Sequence, residues 1–266
     1  MDTARSGRVR LAGIDFDQLT EDQTVEHIIT TSRSRQGGWL VNPNVDVCRQ
    51  TRRDPALQSL VEKASLVIPD GMPLIWAARL GGRRRLERVA GGSLIYSLSQ
   101  AAAQHERSIY LLGGAPEVPY RAAVRLCRRY PGLVVVGADA PPFGFDADQA
   151  MVETVRSRLA AAAPDIVYVG LGFPRQERLI AALATHFPEV WFVSSGAAIS
   201  YAAGTLRRAP RWMRQAGLAW FFRLLIEPRR LYRRYLVHDL PFAIELLTAA
   251  TVERFGGREQ ARLSNK

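Results

Sequence analysis

Short, continuously apolar runs alternate with longer amphipathic segments along the chain, and this alternation constrains the fold more than any other feature. A strand buried on both faces of a sheet is apolar throughout, whereas a half-exposed strand alternates apolar and polar residues. Apolar runs separated by helical patterns therefore predict an α/β, Rossmann-like fold, with a mostly parallel sheet flanked by helices. The six predicted strands span residues 39–42, 65–69, 108–113, 133–137, 165–170 and 190–194.

Helical patterns fill the segments between these strands, for example residues 46–63 and 119–130. Earlier in the chain, Thr20 and Gln23 have the spacing of a capping box, in which the two side chains bond to each other's backbone N–H groups. A helix is therefore expected to follow Thr20.

The predicted strands end in glycine and polar residues. Ligands of open α/β sheets bind beyond the carboxyl ends of the strands, where glycine lets a ligand approach the backbone closely. Any single exit of this kind is explained by a tight turn, but six together indicate a ligand-binding cleft. The exits read NPN at 42–44, DGM at 70–72, GGAP at 113–116, GAD at 137–139, GLG at 170–172 and SSG at 194–196.

Asp70 is the candidate catalytic residue. It follows the apolar run 65–69 and precedes Gly71, which places it at the tip of a strand. A carboxylate there can act as a general base if its surroundings raise its pKa. It can equally cap a helix that begins near Pro73, and the residues alone leave both interpretations open.

Two further positions suit a phosphorylated sugar ligand. Arg88 follows basic positions 83–85, and a guanidinium can grip a diphosphate through two parallel hydrogen bonds. In segment 170–180 a strand ends in glycine, and Gln176 and Glu177 then open a helix whose free N–H groups suit an anion. The segment matches neither a Walker A loop nor GxGxxG, which disfavours nucleoside triphosphate hydrolysis and dinucleotide binding.

Metal binding is not predicted. The four histidines are scattered without ligand spacing. The pairs Asp15/Asp17 and Asp146/Asp148 have the Asp-x-Asp pattern that can hold a metal against a nucleotide diphosphate. We interpret the first pair as turn residues before a helix and the second as part of a Pro/Gly-rich loop. The histidines are His27, His105, His186 and His238.

The composition of the chain predicts a cytosolic protein. Cys48 and Cys127 form no CxxC motif, and residues 1–18 contain no apolar signal-like run. The most apolar stretch, residues 159–173, is interrupted by Pro164 and Asp165, so no transmembrane helix is predicted.

The C-terminal quarter carries most of the positive charge. Residues 207–236 contain nine arginines and six aromatic residues against one acid, Glu227. Helices bounded by Pro210, Gly217 and Pro228 would be too short to be stable alone, so they must dock on something. Such residues suit a membrane interface, a nucleic-acid strand or a substrate diphosphate, and composition does not choose among the three.

These motifs together resemble the WecG/TagA/CpsF family of bacterial glycosyltransferases, glycosyltransferase family 26, over nearly the whole chain. The strongest markers are LVIPDGMPLIWAARLGG, ERVAGGSL, YLLGGAPEV, PPFGF, GLGFPRQE, AGTLRRAPRWMRQAGLAW and RLLIEPRRLYRRYL. The resemblance implies inverting transfer of a sugar, of the N-acetylmannosamine or glucose type, from a UDP-sugar to a polyprenyl-diphosphate-linked saccharide. It further implies no metal or cofactor, and action at the inner face of the cell membrane in cell-surface polysaccharide synthesis.

The resemblance also suggests roles for individual residues. Asp70 matches the proposed catalytic base of the family. The other implied substrate-binding residues are Asn42, Asn44, Arg88, Gly114, Gly172, Gln176 and Glu177. The implied phosphate- and lipid-binding residues are Arg214, Arg223, Arg230 and Arg233. Asn42 and Ala219 depart from the commoner family residues, which leaves the sugar identity open.

We therefore expect an α/β core at residues 1–206 and a membrane-associating helical appendage at 207–266, with residues 256–266 disordered. The expected anions are lipid and diphosphate rather than nucleic acid, and the short helices are compatible with a homo-oligomer. Two alternatives remain: a basic nucleic-acid-binding α/β protein, and a non-catalytic membrane-associated protein that binds a UDP-sugar.

Overall fold

The computed structural model describes residues 7–263 apart from position 84, and side chains as far as residue 254. Strands and helices alternate through most of this range. The strands are β1 (Arg8–Leu11), β2 (Ile14–Asp17), β3 (Gly38–Val41), β4 (Leu66–Val67), β5 (Ile109–Leu112), β6 (Val135–Asp139), β7 (Ile166–Val169) and β8 (Trp191–Ser194). The helices are α1 (Glu21–Arg33), α2 (Val45–Arg53), α3 (Pro55–Glu62), α4 (Met72–Leu80), α5 (Gly91–Gln104), α6 (Val118–Arg129), α7 (Gln149–Ala162), α8 (Arg175–Ala184), α9 (Ala198–Ala203), α10 (Arg211–Gln215), α11 (Ala219–Ile226), α12 (Pro228–Tyr232) and α13 (Leu240–Leu263).

Six of the strands form one parallel sheet in the order β4-β3-β8-β7-β5-β6, which confirms the predicted α/β fold. All six predicted strands are present. Because every strand pair is parallel, the carboxyl ends of these strands lie along one edge of the sheet. The chain runs outward from β3 to β4, crosses to β5 and β6, and returns through β7 and β8. A change of direction of this kind leaves a crevice at the carboxyl edge.

The central strands are buried on both faces, as their continuous apolar sequence requires. Every residue of β5, β7 and β8 is buried. One face packs Phe192 and Val169 against α2, α4 and α8, and the other packs Trp191 and Tyr168 against α1, α5 and α9. Each such large side chain stabilises the fold by roughly 1.5–3 kcal/mol relative to an exposed one.

Local sequence patterns predicted the positions of most helices correctly. Thr20 and Gln23 form the predicted capping box, each side chain bonding to the other residue's N–H. The helical pattern at 46–63 is divided, however, into α2 and α3. Asp54 ends α2 and caps α3, because Pro55 lacks an N–H group and restricts the backbone of the residue before it.

The interpretation of Asp15 and Asp17 as turn residues is wrong. Both lie in β2, which pairs with β1 in an antiparallel hairpin. Arg8 pairs with Asp17 at 2.9 Å, and the Asp17 Oδ2 atom accepts a hydrogen bond from the Val67 N–H at 2.9 Å. The turn is made instead by Ala12 and Gly13, at φ +52° and +84°. Two adjacent residues with positive φ give the hairpin turn that matches strand twist.

The C-terminal helices dock on the α/β body. Helix α13 packs along α4, and Phe242, Ala243, Leu246 and Ala250 are buried. Residues Arg233–Asp239 before it form a π-helical turn. The disorder expected for 256–266 is wrong as far as Leu263, because α13 continues to that residue; 264–266 lie outside the described residues. The proposed division at residue 206 stays a prediction.

Pro228–Arg254 forms a single helical stretch of 27 residues that is long and apolar enough, by length and composition alone, to cross a membrane. No transmembrane helix is predicted from the sequence pattern. One side of the stretch packs on α4, as described above, and exposed ion pairs tie it to the body as well. Arg52 contacts Glu245 at 2.6 Å, and Arg83 contacts Glu253 at 2.7 Å. In this structure the stretch is therefore a docked helix.

Candidate active site

A cleft of about 1020 Å³ lies beyond the carboxyl edge of the sheet, closed on one side by the C-terminal helices. Its volume is at the upper end of the range typical of ligand sites. Ten of the twelve predicted site residues line it: Asn42, Asn44, Asp70, Arg88, Gly172, Gln176, Glu177, Arg214, Arg223 and Arg230. Gly114 and Arg233 do not line it, although their neighbours Ala115 and Arg234 do.

Asp70 lies just beyond β4, half-buried in the floor of the cleft. Its N–H donates to the carbonyl of Pro43 at 2.9 Å, and its Oδ2 atom accepts from the N–H of Gly91 at 3.3 Å. Gly91 is the first residue of α5, so the carboxylate faces the positive end of a helix dipole. The alternative role as a cap of α4 is wrong, because Gly71 holds that position without a side-chain bond.

The electrostatic surroundings of Asp70 suit a base. Burial raises the pKa of this carboxyl group, while Arg88, the N–H of Gly91 and Arg223 oppose that rise. The balance is a raised pKa, so the carboxylate binds a proton more readily than an exposed aspartate does.

The two asparagines at the exit of β3 differ in what they offer a ligand. The Asn44 Oδ1 atom accepts from the Val47 N–H at 3.1 Å, so this residue caps α2. The Asn42 Nδ2 group donates to the carbonyl of Val89 at 3.3 Å, whereas its buried Oδ1 atom has no partner among the described residues. Asn42 therefore keeps a free acceptor at the cleft.

Gln176 joins two strand exits. Its Oε1 atom accepts from the N–H groups of Gly172 and Gly196, both at 3.1 Å, and thereby bridges the loops after β7 and β8. Its Nε2 group donates to the Oε1 atom of Glu177 at 2.8 Å. The side chain that the sequence suggested as a sugar ligand is thus largely occupied within the protein.

Glu177 is 1% exposed. Burial raises its pKa to about 7, and the amide of Gln176, its own backbone N–H and the nearby hydroxyl of Ser194 oppose the rise. Apart from this contact between the two groups, neither the Oε2 atom of Glu177 nor the Oγ atom of Ser194 has a hydrogen-bond partner among the described residues. Ser194 is not among the site residues predicted from the sequence, although the SSG exit at 194–196 contains it.

The arginines of the cleft fall into two groups. Arg223 and Arg230 both contact Glu227, at 3.1 and 2.9 Å. Arg88 and Arg208 have no carboxylate within 4.0 Å in the part of the chain that the structure describes, and the same holds for Arg214.

Positive charges also crowd one another near the cleft. Burial lowers the pKa of Arg214, and the neighbouring Arg208 and Arg211 lower it further. A cluster of guanidinium groups without acidic partners is a suitable site for a phosphate. Arg208 is absent from the sequence-based set, because the LRRAPR segment does not reveal which of its arginines faces inward.

A partly buried cluster of ions connects the C-terminal segment to the body. The Nη2 atom of Arg234 lies 3.0 Å from the Oδ2 atom of Asp46, and Arg49 Nε lies 3.2 Å from Asp239 Oδ1. Arg49 also pairs with Asp46 on α2. Burial, and next the Asp46 carboxylate, raise the pKa of Asp239. Asp46, Arg234 and Asp239 all line the cleft, so docking of the C-terminal segment completes its wall.

Within the described residues, no group of three or more His, Cys, Asp or Glu side chains has an arrangement that could hold a metal ion. The members of the second Asp-x-Asp pair have other contacts. Asp146 forms an ion pair with Arg175, and the Asp148 side chain caps α7 by accepting from the Ala150 N–H at 2.9 Å.

A parallel α/β sheet with a carboxylate of raised pKa and several guanidinium groups in a cleft at its carboxyl edge is an arrangement typical of enzymes that act on phosphorylated ligands. The chain belongs to the glycosyl transferase WecG/TagA/CpsF family, whose family model matches residues 9–255. The protein is therefore a glycosyltransferase, in agreement with the resemblance seen in its sequence.

Two relatives show the same similarity over most of their length. The chain is 30% identical over 224 residues to an N-acetylglucosaminyldiphosphoundecaprenol N-acetyl-beta-D-mannosaminyltransferase of Bacillus spizizenii, which covers 84% of each chain. It is 28% identical over 233 residues to a Staphylococcus aureus protein of the same name, which covers 86% of this chain and 89% of the relative.

Proposed function

We propose that this glycosyltransferase moves an N-acetylmannosamine-type sugar from a UDP-sugar to a polyprenyl-diphosphate-linked N-acetylglucosamine, with inversion, in cell-surface polymer synthesis. The observation that carries the proposal is the position of Asp70, a carboxyl group of raised pKa in a cleft that also contains arginines without a carboxylate partner among the described residues. The names of the two relatives supply the sugar and the class of acceptor.

In the proposed reaction Asp70 acts as the general base. Its carboxylate takes the proton of the acceptor hydroxyl while the hydroxyl oxygen attacks the anomeric carbon of the donor. The bond between that carbon and the β-phosphate oxygen breaks, and UDP leaves with the electron pair. The raised pKa favours proton acceptance, and a single displacement with one base inverts the anomeric centre.

The arginines of the cleft would stabilise the departing diphosphate. Arg88, Arg208 and Arg214 support this role because no acidic side chain competes for them among the described residues. Arg223 and Arg230 can contribute only if the ligand shares or displaces their contacts with Glu227. The binding roles of Asn42, Asn44, Gly114, Gly172 and Arg233 stay predictions.

The proposal is tested by measuring UDP release from a panel of UDP-sugars with a synthetic polyprenyl-diphosphate N-acetylglucosamine as acceptor. We expect release from UDP-N-acetylmannosamine that depends on the acceptor and is lost in Asp70→Asn. The exposed Asp22, on α1, provides the control Asp22→Asn, which should retain activity. Full activity of Asp70→Asn would refute the base assignment, and acceptor-dependent release from a different donor would refute the sugar assignment.

We also propose that the C-terminal helices hold the enzyme on the inner face of an anionic membrane. Helix α11 has no buried residue and exposes Phe221, Leu225 and Ile226, and arginines precede and follow it. Exposed apolar side chains with flanking arginines bind the interface of anionic lipid bilayers. A lipid-linked acceptor would then be presented beside the cleft that these helices enclose.

Co-sedimentation with phosphatidylglycerol vesicles tests this second proposal. Leu225 is 62% exposed and Val134, on the α/β body, is 52% exposed, so Leu225→Glu and Val134→Glu are matched changes. Leu225→Glu should weaken vesicle binding severalfold, because a carboxylate at an apolar contact is repelled by anionic lipid. Val134→Glu should bind normally. Equal binding by both variants and the parent protein would show that α11 does not contact the membrane.

A further inference from the structure

Helix α13 carries a second apolar stripe beside the one that packs on the α/β body. This stripe lines the cleft, and its members are spaced i, i+3, i+4 and i+7, which places them on one face of the helix. They are Leu240, Ala243, Ile244 and Leu247. Leu240 is 44% exposed and Ile244 is 56% exposed, so the described part of the chain covers the stripe only partly.

Helix α4 and the turn before α11 add apolar side chains to the same end of the cleft. Met72 and Trp76 lie one turn apart on α4, which packs along α13, and both line the cleft. They contact the turn at Gly217, where an added Cβ atom would lie 2.7 Å from Met72 Cγ and 3.0 Å from Trp76 Cζ2. Trp220 follows this turn and also lines the cleft. We call this end of the cleft the apolar annex; it consists of Met72, Trp76, Trp220, Leu240, Ile244 and Leu247.

The apolar annex lies next to the charged groups of the cleft. Arg223 follows Trp220 by one turn of α11, and both side chains line the cleft. Burial raises the pKa of Asp70, and the charge of Arg223 is near enough to oppose that rise. On the other side, Asp239 belongs to the ion cluster described above and directly precedes Leu240. The apolar annex is thus continuous with the part of the cleft that contains the proposed base.

An apolar surface of this kind inside a ligand cleft needs an apolar partner. Soluble proteins rarely expose contiguous apolar patches, and those within a cleft are typically where the apolar part of a ligand binds. The stretch Pro228–Arg254 is apolar enough to cross a membrane, yet only 28% of its most apolar window is buried in the protein. Covering the apolar annex would remove part of this exposed surface from water, which is favourable in proportion to its area.

We infer that the apolar annex binds the polyprenyl chain of the lipid-linked acceptor, through the isoprene units next to the diphosphate. This inference rests on the proposed function, which takes a polyprenyl-diphosphate N-acetylglucosamine as the acceptor. An acceptor whose hydroxyl meets Asp70 and whose diphosphate passes Arg223 extends its chain into the apolar annex. The stripe on α13 rises about 10 Å from residue 240 to residue 247, roughly the length of two isoprene units.

The acyl chains of the bilayer are the other apolar partner, and they fit this position less well. The exposed side chains that we assign to the membrane, Phe221, Leu225 and Ile226, do not line the cleft. The apolar annex does line it, on the concave side that is continuous with the proposed base. A chain joined to the reacting sugar reaches that position whenever the acceptor binds.

The test compares two water-soluble acceptors without vesicles or detergent: N-acetylglucosamine diphosphate esterified with a methyl group or with a geranyl group. With UDP-N-acetylmannosamine as donor, the kcat/KM of the full-length protein should be roughly tenfold or more higher for the geranyl acceptor, because burial of its chain adds to binding. A ratio near one would overturn the inference. Transfer only to a long-chain acceptor in vesicles would also overturn it, because two isoprene units would then gain nothing from the apolar annex. Absence of transfer to all of these acceptors would overturn the proposed function as well.

The variant Ile244→Ser tests the position of the chain. We expect the ratio of the two kcat/KM values to fall at least threefold, because a hydroxyl replaces apolar surface in the apolar annex. The matched control is Val252→Ser, since Val252 also lies on α13 and is 66% exposed but does not line the cleft. Its ratio should equal that of the parent protein. Use of a ratio removes any general loss of activity, and thermal melting shows whether both variants fold.

Vesicle binding distinguishes the polyprenyl chain from the bilayer. Ile244→Ser should co-sediment with phosphatidylglycerol vesicles as the parent protein does, in contrast to Leu225→Glu. Loss of vesicle binding in Ile244→Ser with an unchanged ratio would show that the bilayer covers the stripe on α13, and would overturn the inference. An unchanged ratio with normal vesicle binding would overturn it too, since Ile244 would then contact neither.

Discussion

The Nη2 atom of Arg234 lies 3.0 Å from the Oδ2 atom of Asp46, and this contact joins the C-terminal segment to helix α2 at the wall of the cleft. The pair is part of the cluster that also contains Arg49 and Asp239, so two positive and two negative groups share a largely buried space. Docking of the last quarter of the chain therefore depends on side chains from the first fifth of it.

Asp46→Asn should destabilise the protein by about 3 kcal/mol, because it leaves the largely buried Arg49 to share one carboxylate, Asp239, with the partly exposed Arg234. Urea unfolding monitored by circular dichroism gives the change in free energy. The exposed pair between Arg35 and Glu189 is the matched comparison, and Glu189→Gln should cost less than about 1 kcal/mol. Equal losses in the two variants would show that burial of the cluster contributes nothing.

Gly217→Ala should destabilise the contact between α4 and the C-terminal helices. A Cβ atom at Gly217 would lie 2.7 Å from the Met72 Cγ atom, and the backbone there has φ +78°. Gly82 has a similar φ of +83° with no atom nearby, so Gly82→Ala measures the backbone effect alone. We expect each variant to lose roughly 1–2 kcal/mol from positive φ, and Gly217→Ala to lose about 1–3 kcal/mol more. Thermal unfolding of the two variants gives this difference. Equal destabilisation would mean that the C-terminal helices shift to accommodate the added Cβ atom.

The pH dependence of kcat/KM should reveal the electrostatics of Asp70. Burial raises its pKa and Arg88 opposes the rise, so activity should increase with pH through an acidic limb above the range usual for aspartate. In Arg88→Ala that limb should move to still higher pH, because the charge that favours the carboxylate is gone. Steady-state rates across the acidic and neutral range give the pH at which the limb lies. A loss of substrate binding that does not depend on pH lowers kcat/KM without moving the limb. A limb that stays in place would mean that Arg88 does not act on Asp70.

Stability of the ligand-free protein should fall with rising pH because of Glu177. Its pKa is raised from 4.5 to about 7 on folding, so the folded state binds the proton more tightly than the unfolded state. The contribution is complete below about pH 4.5 and is lost as pH rises through about 7, with a total of roughly 3 kcal/mol. In Glu177→Gln this component should vanish. Urea unfolding of both proteins at several pH values gives the difference, and parallel curves would contradict the raised pKa.

The positions of the strands and most helices could be read from the sequence because they depend on local pattern. Continuous apolar runs indicated β5, β7 and β8, and the Thr20–Gln23 spacing indicated the start of α1. The β1–β2 hairpin was missed because its two strands have only four residues each and contain charged residues at regular intervals. Its turn uses Ala12 at positive φ, for which a sequence offers little warning.

The sequence located the candidate site at the carboxyl ends of the strands, but did not give the contacts within it. Parallel topology brings all exits to one edge, so Asp70, Arg88 and Gln176 had to lie near a common cleft once the sheet was recognised. Sequence could not tell that the Gln176 side chain bonds to backbone groups of two loops and to the buried carboxyl group of Glu177. That outcome depends on side-chain rotamers and on the spacing of the three loops that meet at this point.

The sequence by itself determined the α/β class, the order of elements and the collection of polar residues at one edge of the sheet, because hydrophobic periodicity acts over a few residues and parallel strands share a direction. Only the tertiary structure decided which arginines have acidic partners. Arg234 meets Asp46, Arg223 meets Glu227, and Arg208 meets no carboxylate in the described part of the chain. Such pairings depend on how distant segments pack, and burial then determines the free energy of each charge.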